Sequence, residues 1–356
     1  VQSSALNSLL LYCRAGFESE CAQEINNVAE KVPIPGYVRT KKQSGFVEYI
    51  VENSADLDRL SRNTLWRKLI FARQILSGFA ELKELDTKDR LTPILHCLTD
   101  YGEHFNEVWV ESPDTNRGKE LSTFCRKFSG ALVSVLKREC LLEKTSHRRL
   151  HIFFPQSDYA ILAQSDLEKS SPWPQGIPRL KFPPTAPSRS TLKLDEAFQV
   201  LLNEDERQRW LKPGMTAVDL GAAPGGWTWQ FIQRSIHVTA VDNGALARNL
   251  LDSGLVTHVQ ADGFTYQPKR PVDWLVCDMV EQPRRIAALM AQWLTEQRCK
   301  RAIFNLKLPM KKRFEEVALC LDSIRESAAR KGKKVELRAK QLYHDREEIT
   351  VFAIVL

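Results

Sequence analysis

The run Val218-Asp219-Leu220-Gly221-Ala222-Ala223-Pro224-Gly225-Gly226-Trp227 lies between an apolar strand-forming stretch and a helix-forming one, and it narrows the possible folds more than any other segment. Three glycines within six residues let the backbone pass close to a bound molecule, which in open parallel sheets lies beyond the carboxyl ends of the strands. The surrounding alternation is long and regular. Helix 194–202 leads to strand 216–220, helix 227–234 to strand 237–241, and helix 246–252 to strand 257–260. Strand 274–277, helix 283–296, strand 302–306 and helix 314–331 follow, then two β-rich runs, 334–342 and 348–356. Repeated strand and helix units predict an α/β fold with a Rossmann-like parallel sheet, and the last two runs add an antiparallel partner to make a seven-stranded mixed sheet. The glycine spacing does not fit G-x-G-x-x-G and no G-K-[ST] loop exists, which disfavours a nicotinamide dinucleotide or a nucleoside triphosphate.

Upstream, an apolar run at 9–13, helix 18–28, strand 45–51, helix 56–63 and a run at 68–79 predict an α+β, ferredoxin-like first domain over 1–75. A second domain, 76–165, reads as helix 91–100, strand 107–112, helix 119–140 and β-rich runs 150–154 and 159–163. It carries Arg117, Lys119, Arg126, Lys127, Lys137, Arg138, Lys144, Arg148 and Arg149, a cluster suited to phosphate contact or to a solvated helix face. Residues 166–190 read as a linker, because Pro172, Pro174, Pro178, Pro183, Pro184 and Pro187 crowd a stretch that cannot hold a regular element. The last domain is then 191–356. With 43% hydrophobic residues among 356, each of these can bury a core. No apolar run reaches the roughly 18 residues needed to span a bilayer, and no signal-peptide pattern opens the chain, so a cytoplasmic protein without a membrane partner is expected. The eight cysteines are scattered with no C-x-x-C pair, which predicts reduced thiols and no metal site. The formal charge of +7 is too modest to name a polyanionic partner by itself.

An acidic residue closes or precedes the end of each successive strand: Asp219, Asp242, Asp262 and Asp278. A carboxylate after the second strand can accept hydrogen bonds from both ribose hydroxyls of an adenosine, and one after the third from the adenine amino group. Any one of these alone is as well explained as a turn former or helix cap. Four in order after a glycine loop predict a nucleoside site.

The D-L-G-x-x-P-G-G-W loop resembles the first motif of the FtsJ/RrmJ-like ribose methyltransferases, class I enzymes that use S-adenosyl-L-methionine. The resemblance implies a lysine before the first strand, an aspartate after the fourth, a lysine after the fifth and a glutamate in the last. Lys193, Asp278, Lys307 and Glu348 stand at those places. A ribose hydroxyl is a poor nucleophile and the methyl donor is already activated, so the enzyme must align the two and remove a proton. A lysine can do so only if its pKa is lowered, as a neighbouring ammonium would lower it. Lys307 is thus the candidate base, Lys193 its charged neighbour, Asp278 the orienting carboxylate and Glu348 the support. Glu347 and Glu348 are adjacent and face opposite ways in a strand. The family position selects Glu348, while the residues alone leave either free to face the site. For the cofactor the resemblance implies Ser190, Asp219, Gly221, Ala223, Pro224, Gly225, Gly226, Asp242, Asp262 and Asp278; Ala223 departs from the cysteine of relatives, with little effect expected on a backbone contact.

Longer strings are more specific. Ile177-Pro178-Arg179-Leu180-Lys181-Phe182-Pro183, Phe304-Asn305-Leu306-Lys307-Leu308-Pro309-Met310-Lys311-Lys312-Arg313 and Gln341-Leu342-Tyr343-His344-Asp345-Arg346-Glu347-Glu348 resemble the bacterial 23S ribosomal RNA cytidine 2′-O-methyltransferases. That resemblance spans nearly the whole chain. It implies a ferredoxin-like piece, a THUMP RNA-binding domain, and 23S rRNA as partner, before full subunit assembly, with the target a cytidine at position 2498 in the peptidyl-transferase loop; no DNA partner is expected. Methylation of another RNA, or a non-catalytic RNA-binding protein on a methyltransferase fold, are the alternatives. The latter predicts loss of one of the four catalytic positions, and none is lost. A base methyltransferase would need a nucleophilic cysteine or a [DN]-P-P-[YF] loop, and Cys277-Asp278-Met279-Val280 offers neither. Arg284, Arg285, Lys311, Lys312 and Arg313 predict a basic rim around the site.

Overall fold

The computed structural model describes residues 1–356, in two compact units, Val1–Ile177 and Pro178–Leu356. The first contains β1 (Gln2–Cys13), α1 (Glu18–Lys31), β2 (Gly36–Thr40), β3 (Phe46–Val51), α2 (Ser54–Asn63), β4 (Ala72–Lys83), α3 (Leu91–Tyr101), β5 (Glu107–Glu111), α4 (Asn116–Arg138), β6 (Arg148–Gln156) and β7 (Tyr159–Asp166). These strands form one sheet in the order β2-β3-β1-β4-β7-β6-β5, in which only β5 and β6 run parallel. Position 75, where the sequence suggests a domain boundary, falls inside β4, which pairs with β1 on one edge and β7 on the other. The ferredoxin-like segment and the block after it therefore share a sheet. A buried polar chain ties them: Glu111 accepts from Tyr12 at 3.0 Å and contacts His151 Nδ1 at 2.8 Å, and His151 Nε2 lies 2.9 Å from Ser165. His151 is wholly enclosed, so this chain is a structural tie across β1, β5, β6 and β7.

Helix α4 presents Arg117, Lys119, Arg126, Lys127, Lys137 and Arg138 to solvent. Arg149 leaves the expected basic set. Alternation in β6 turns it inward, where it stacks 3.6 Å from the Trp109 ring centre and pairs with Glu107 at 2.7 Å. Between the last strand of this unit and the next helix, the proline-rich stretch holds one short helical turn, Pro174–Gly176.

The second unit contains α5 (Thr191–Leu201), α6 (Glu204–Trp210), β8 (Thr216–Leu220), α7 (Gly226–Ile232), β9 (His237–Val241), α8 (Arg248–Leu251), β10 (Val256–Val259), β11 (Val272–Cys277), α9 (Pro283–Thr295), β12 (Cys299–Lys307), α10 (Arg313–Arg330), β13 (Val335–Lys340) and β14 (Glu348–Val355). The sheet order is β10-β9-β8-β11-β12-β14-β13. The neighbours from β10 to β12 are parallel, and β14 runs antiparallel to both β12 and β13. This is the Rossmann-like seven-stranded mixed sheet that the alternation predicts. Trp274 anchors its core, packed within about 6 Å of Phe198, Phe231 and Phe352, and its indole N–H donates to Trp210 O at 2.6 Å. Helix α6, not legible in the periodicity, begins with a reciprocal Asn203 and Glu206 cap, and Glu206 also takes both terminal nitrogens of Arg338 at 2.6 Å. No helix of the chain is long and apolar enough to cross a membrane. All eight cysteines are free thiols; Cys140 is exposed, unlike most of the others.

Candidate active site

The sheet order reverses between β8 and β11, since β9 lies on one side of β8 and β11 on the other. A crevice opens at the carboxyl ends of strands at such a switch point. The loop 221–226 after β8 and Asp278 after β11 border it. The glycines of the loop are required by the protein's own packing. A Cβ on Gly221 would fall 2.4 Å from Met279 Cγ, one on Gly225 2.0 Å from Leu250 Cδ1, and one on Gly226 2.2 Å from Ser190 Oγ. Gly221 and Gly225 also hold φ of +75° and +111°. Ser190 adjoins the loop directly: its hydroxyl lies 2.6 Å from Ser188 Oγ, and its carbonyl accepts from Trp227 Nε1 at 3.1 Å. Ala223 and Pro224 are joined by a cis peptide, Ala223 half-buried and Pro224 exposed.

Three of the four expected carboxylates stand at strand ends. Asp242 accepts from Ala223 N at 2.9 Å and Gly244 N at 2.7 Å, which fixes its carboxylate beside the loop. Asp262 is exposed and accepts from Phe264 N at 2.9 Å. Asp278 lies between Lys193 and Lys307. Asp219 does not reach the rim. It lies within β8, and alternation sends its side chain inward, 1% exposed, to accept from Thr228 Oγ1 at 2.7 Å.

Lys193, Asp278, Lys307 and Glu348 come together from four elements. Lys193, in the first turn of α5, donates to Asp278 Oδ2 at 3.1 Å and to Glu348 Oε1 at 2.6 Å. Lys307, the last residue of β12, donates to Asp278 Oδ1 at 3.1 Å and also to Glu348 Oε2. The antiparallel register sets Lys307 opposite Glu348 and Asn305 opposite Thr350, so strand pairing itself delivers these contacts. Glu348 turns inward with a side chain 4% exposed; Glu347 points out and pairs with Arg313 at 2.7 Å. Lys307 is the more open of the two lysines, at 25% against 17% for Lys193.

At Lys193 the electrostatics differ from the expectation of ammoniums acting mainly on one another. Burial pulls the Lys193 ammonium pKa down, but Asp278 and Glu348 together outweigh it and the net shift is upward. Two ammoniums and two carboxylates form a compensated square, which removes most of the penalty for enclosing them. Asp219 behaves differently: burial, only partly offset by Thr228, pushes its carboxyl up from 3.8 to about 7. A carboxyl raised in the folded chain gives a stabilising contribution that is full below pH 3.8 and lost as the pH rises to about 7. Asp219→Asn keeps an oxygen for Thr228 and removes the ionisation. Between about pH 5 and pH 8 its Tm is expected to gain on wild type as pH rises, and parallel Tm curves would refute the assignment.

Outside the square, α5 is pinned to the turn after β13. Glu196 accepts from Tyr343 N at 2.7 Å, His344 N at 2.9 Å and contacts His344 Nδ1 at 2.7 Å. Asn305, Thr350 and Asp345 form a further buried chain behind Asp278. None of these was singled out as a site residue in the sequence. The signal was present: Asn305 precedes Lys307 by two and Thr350 follows Glu348 by two, the spacing that keeps strand residues on one face. The rim is less basic than its composition suggests, because Arg284, Arg285 and Arg313 pair with Glu316, Glu281 and Glu347. Cys277 is fully buried and its thiol is pushed up to about 12 by that burial, which removes it as a nucleophile.

Comparison with known proteins accords with this geometry. Residues 6–76 match the RlmM ferredoxin-like domain family, residues 89–166 the family described as Ribosomal RNA large subunit methyltransferase M, N-terminal, and residues 186–332 the FtsJ-like methyltransferase family. The chain is 53% identical over 352 residues to Ribosomal RNA large subunit methyltransferase M of Xanthomonas campestris pv. campestris (strain B100), covering 98% of this chain and 99% of that one. It is 52% identical, with the same coverage, to the proteins of that name from Xanthomonas axonopodis pv. citri (strain 306) and Xanthomonas oryzae pv. oryzae (strain PXO99A).

Proposed function

Because the chain belongs to the ribosomal RNA large subunit methyltransferase M family and is an S-adenosylmethionine-dependent ribosomal RNA 2′-O-methyltransferase, we propose that it methylates the ribose of a cytidine in the peptidyl-transferase loop of 23S rRNA. The observation that carries the catalytic assignment is the square of Lys193, Asp278, Lys307 and Glu348 at the switch-point crevice. The donor set fits the cofactor: Asp242 and Asp262 offer acceptors suited to a ribose diol and an adenine amino group, and Asp278 offers a negative charge suited to a sulfonium. Ser190 and the 221–226 loop, Ala223 and Pro224 included, would hold it by backbone and hydroxyl contacts. When bound, it supplies an electrophilic methyl group on a cationic sulfur.

Every other step falls to the chain. Once it has released a proton to solvent, Lys307 Nζ, the more open lysine, carries a free lone pair and would take the proton of the 2′-hydroxyl as the methyl group passes from sulfur to the ribose oxygen. Asp278 sets the direction of Lys307, and Lys193, kept charged between two carboxylates, supports the developing negative charge on the ribose oxygen. Glu348 holds both lysines at fixed separation, so the acceptor is in place before substrate arrives. Residues 76–165, with the exposed basic face of α4, act as a THUMP-type RNA-binding region. The substrate is the RNA before full subunit assembly, and the site of action is the cytoplasm.

Incubation with tritiated methyl donor and deproteinised 23S rRNA, followed by alkaline hydrolysis, tests this reading. A 2′-O-methyl group blocks cleavage, so label in an alkali-resistant dinucleotide beginning with cytidine is expected. Label released in mononucleotides would mean base methylation and would overturn it. Assembled large subunits should take up far less label than free RNA; equal uptake would remove the assembly claim.

A further inference from the structure

Asp345 is 0% exposed, in the turn between β13 and β14, and it reaches Asp278 through two neutral side chains. Thr350 Oγ1 lies 3.2 and 3.0 Å from the two Asp345 carboxyl oxygens and 2.8 Å from Asn305 Oδ1. Asn305 Nδ2 donates to Asp278 Oδ1 at 2.8 Å.

The direction of each bond follows from counting hydrogens. Asp278 Oδ1 also receives Lys193 and Lys307, so it is an ionised acceptor. The Asn305 amide cannot be reversed, because its oxygen would then face a carboxylate oxygen at contact distance. Asn305 Oδ1 therefore faces Thr350, and as an acceptor it claims the only hydroxyl hydrogen Thr350 has. The remaining contact, between Thr350 Oγ1 and Asp345, is then satisfied only if Asp345 supplies the hydrogen. Asp345 Oδ2 already accepts from Leu342 N at 3.0 Å, which a neutral carboxyl can do while its hydroxyl donates to Thr350.

We propose that Asp345 is a positioning residue that carries a proton at neutral pH and heads a one-directional hydrogen-bond chain through Thr350 and Asn305, which fixes the orientation of the Asp278 carboxylate. The surroundings agree. Burial, reinforced by the negative charge of Glu348 on β14 and of Glu196 on α5, drives the Asp345 carboxyl well above its ordinary range, against the opposing pull of the Leu342 N–H and of Lys193. Ionising Asp345 would reverse its bond with Thr350, turn the hydroxyl hydrogen away from Asn305, and leave the amide free to rotate off Asp278. Two carboxylates of one site thus have opposite charge states, the outer one ionised and the inner one neutral.

The role of Asp278 rests on the function proposed above, so the test pairs an activity readout with one that needs no activity. Asp345→Leu and Thr350→Val each break the chain and are expected to lower kcat for methyl transfer by about 10- to 100-fold with KM for RNA little changed. Asp345→Asn donates from its amide to Thr350 and still accepts from Leu342, and Thr350→Ser keeps the hydroxyl. Both are expected to recover kcat to within about fivefold of wild type. Infrared difference spectra of wild type minus Asp345→Asn at neutral pH should contain a protonated-carboxyl band; Asp219 is common to both proteins and cancels. An Asp345→Asn variant as impaired as Asp345→Leu, or a difference spectrum without that band, overturns the proposal. If wild type itself transfers no methyl group to ribose, the proposed function fails while the infrared difference still decides the charge of Asp345.

Discussion

Replacing Lys307 with alanine is expected to lower kcat by about a thousandfold while leaving affinity for S-adenosylmethionine nearly unchanged. The alanine removes the proton acceptor and leaves Asp278 and Glu348 sharing Lys193 alone. The residues assigned to the adenosine, Asp242 and Asp262, lie beyond other strands and lose no contact. Lys307→Arg sharpens the result. It preserves the positive charge between the two carboxylates, but a guanidinium does not release a proton in a protein. The arginine variant should therefore fold as well as wild type and be almost as inactive as the alanine one. Single-turnover methyl transfer with saturating cofactor separates the chemical step from binding. Activity of the arginine variant within about tenfold of wild type would mean that Lys307 acts through its charge and that the base lies elsewhere.

Gly225→Val is expected to weaken S-adenosylmethionine binding by at least about a hundredfold and to lower Tm by several degrees. Gly225 caps α7 with φ of +111° and ψ of 26°, a conformation in which a β-branched residue is strained. Its added carbon would lie 2.0 Å from Leu250 Cδ1. Leu250 cannot swing aside cheaply, because it is wholly buried in a cluster with Ala186 and Trp229. Relief must come from the loop 221–226 moving away from α8, and that loop is the backbone assigned to the cofactor. Calorimetric titration of the full chain measures the loss, with circular dichroism as the check on folding. Binding within about threefold of wild type would show that the loop does not need this shape.

What the sequence revealed and what it hid follow from how far apart the interacting residues lie. The glycine loop, β8 and β9 were legible to the residue because a strand, its turn and the next helix are neighbours in the chain. The square of Lys193, Asp278, Lys307 and Glu348 was legible only through family resemblance; nothing local marks Lys193 or Lys307, and the residues alone left Glu347 and Glu348 interchangeable. The structure separates them by strand alternation, and it places carboxylates between the ammoniums. Besides α6, three features were not legible. The edge strand β2 is five residues long and mostly exposed, with no periodicity to detect. The pairing of β4 with β7 joins residues about 80 positions apart, and no local pattern announces it. Helix α8 shrinks to Arg248–Leu251 because Ala247 N donates to Pro224 O, so the preceding residues serve the glycine loop. Asp219 was read as a ligand for the same reason that Arg149 was read as a phosphate contact: in a strand, one position decides between surface and core.

The antiparallel insertion of β14 also ties the completeness of the sheet to that of the site. β13 is synthesised before β14 yet pairs only with it, and β12 acquires its second neighbour only when β14 slots in between. Until then β13 is an unmatched ribbon, and the strand edge of β12 is open to the wrong partner. Without β14, Lys193 and Lys307 would have Asp278 as a partner but not Glu348. β14 is thus the keystone of this unit: one strand both closes the sheet and carries the carboxylate that joins the two lysines.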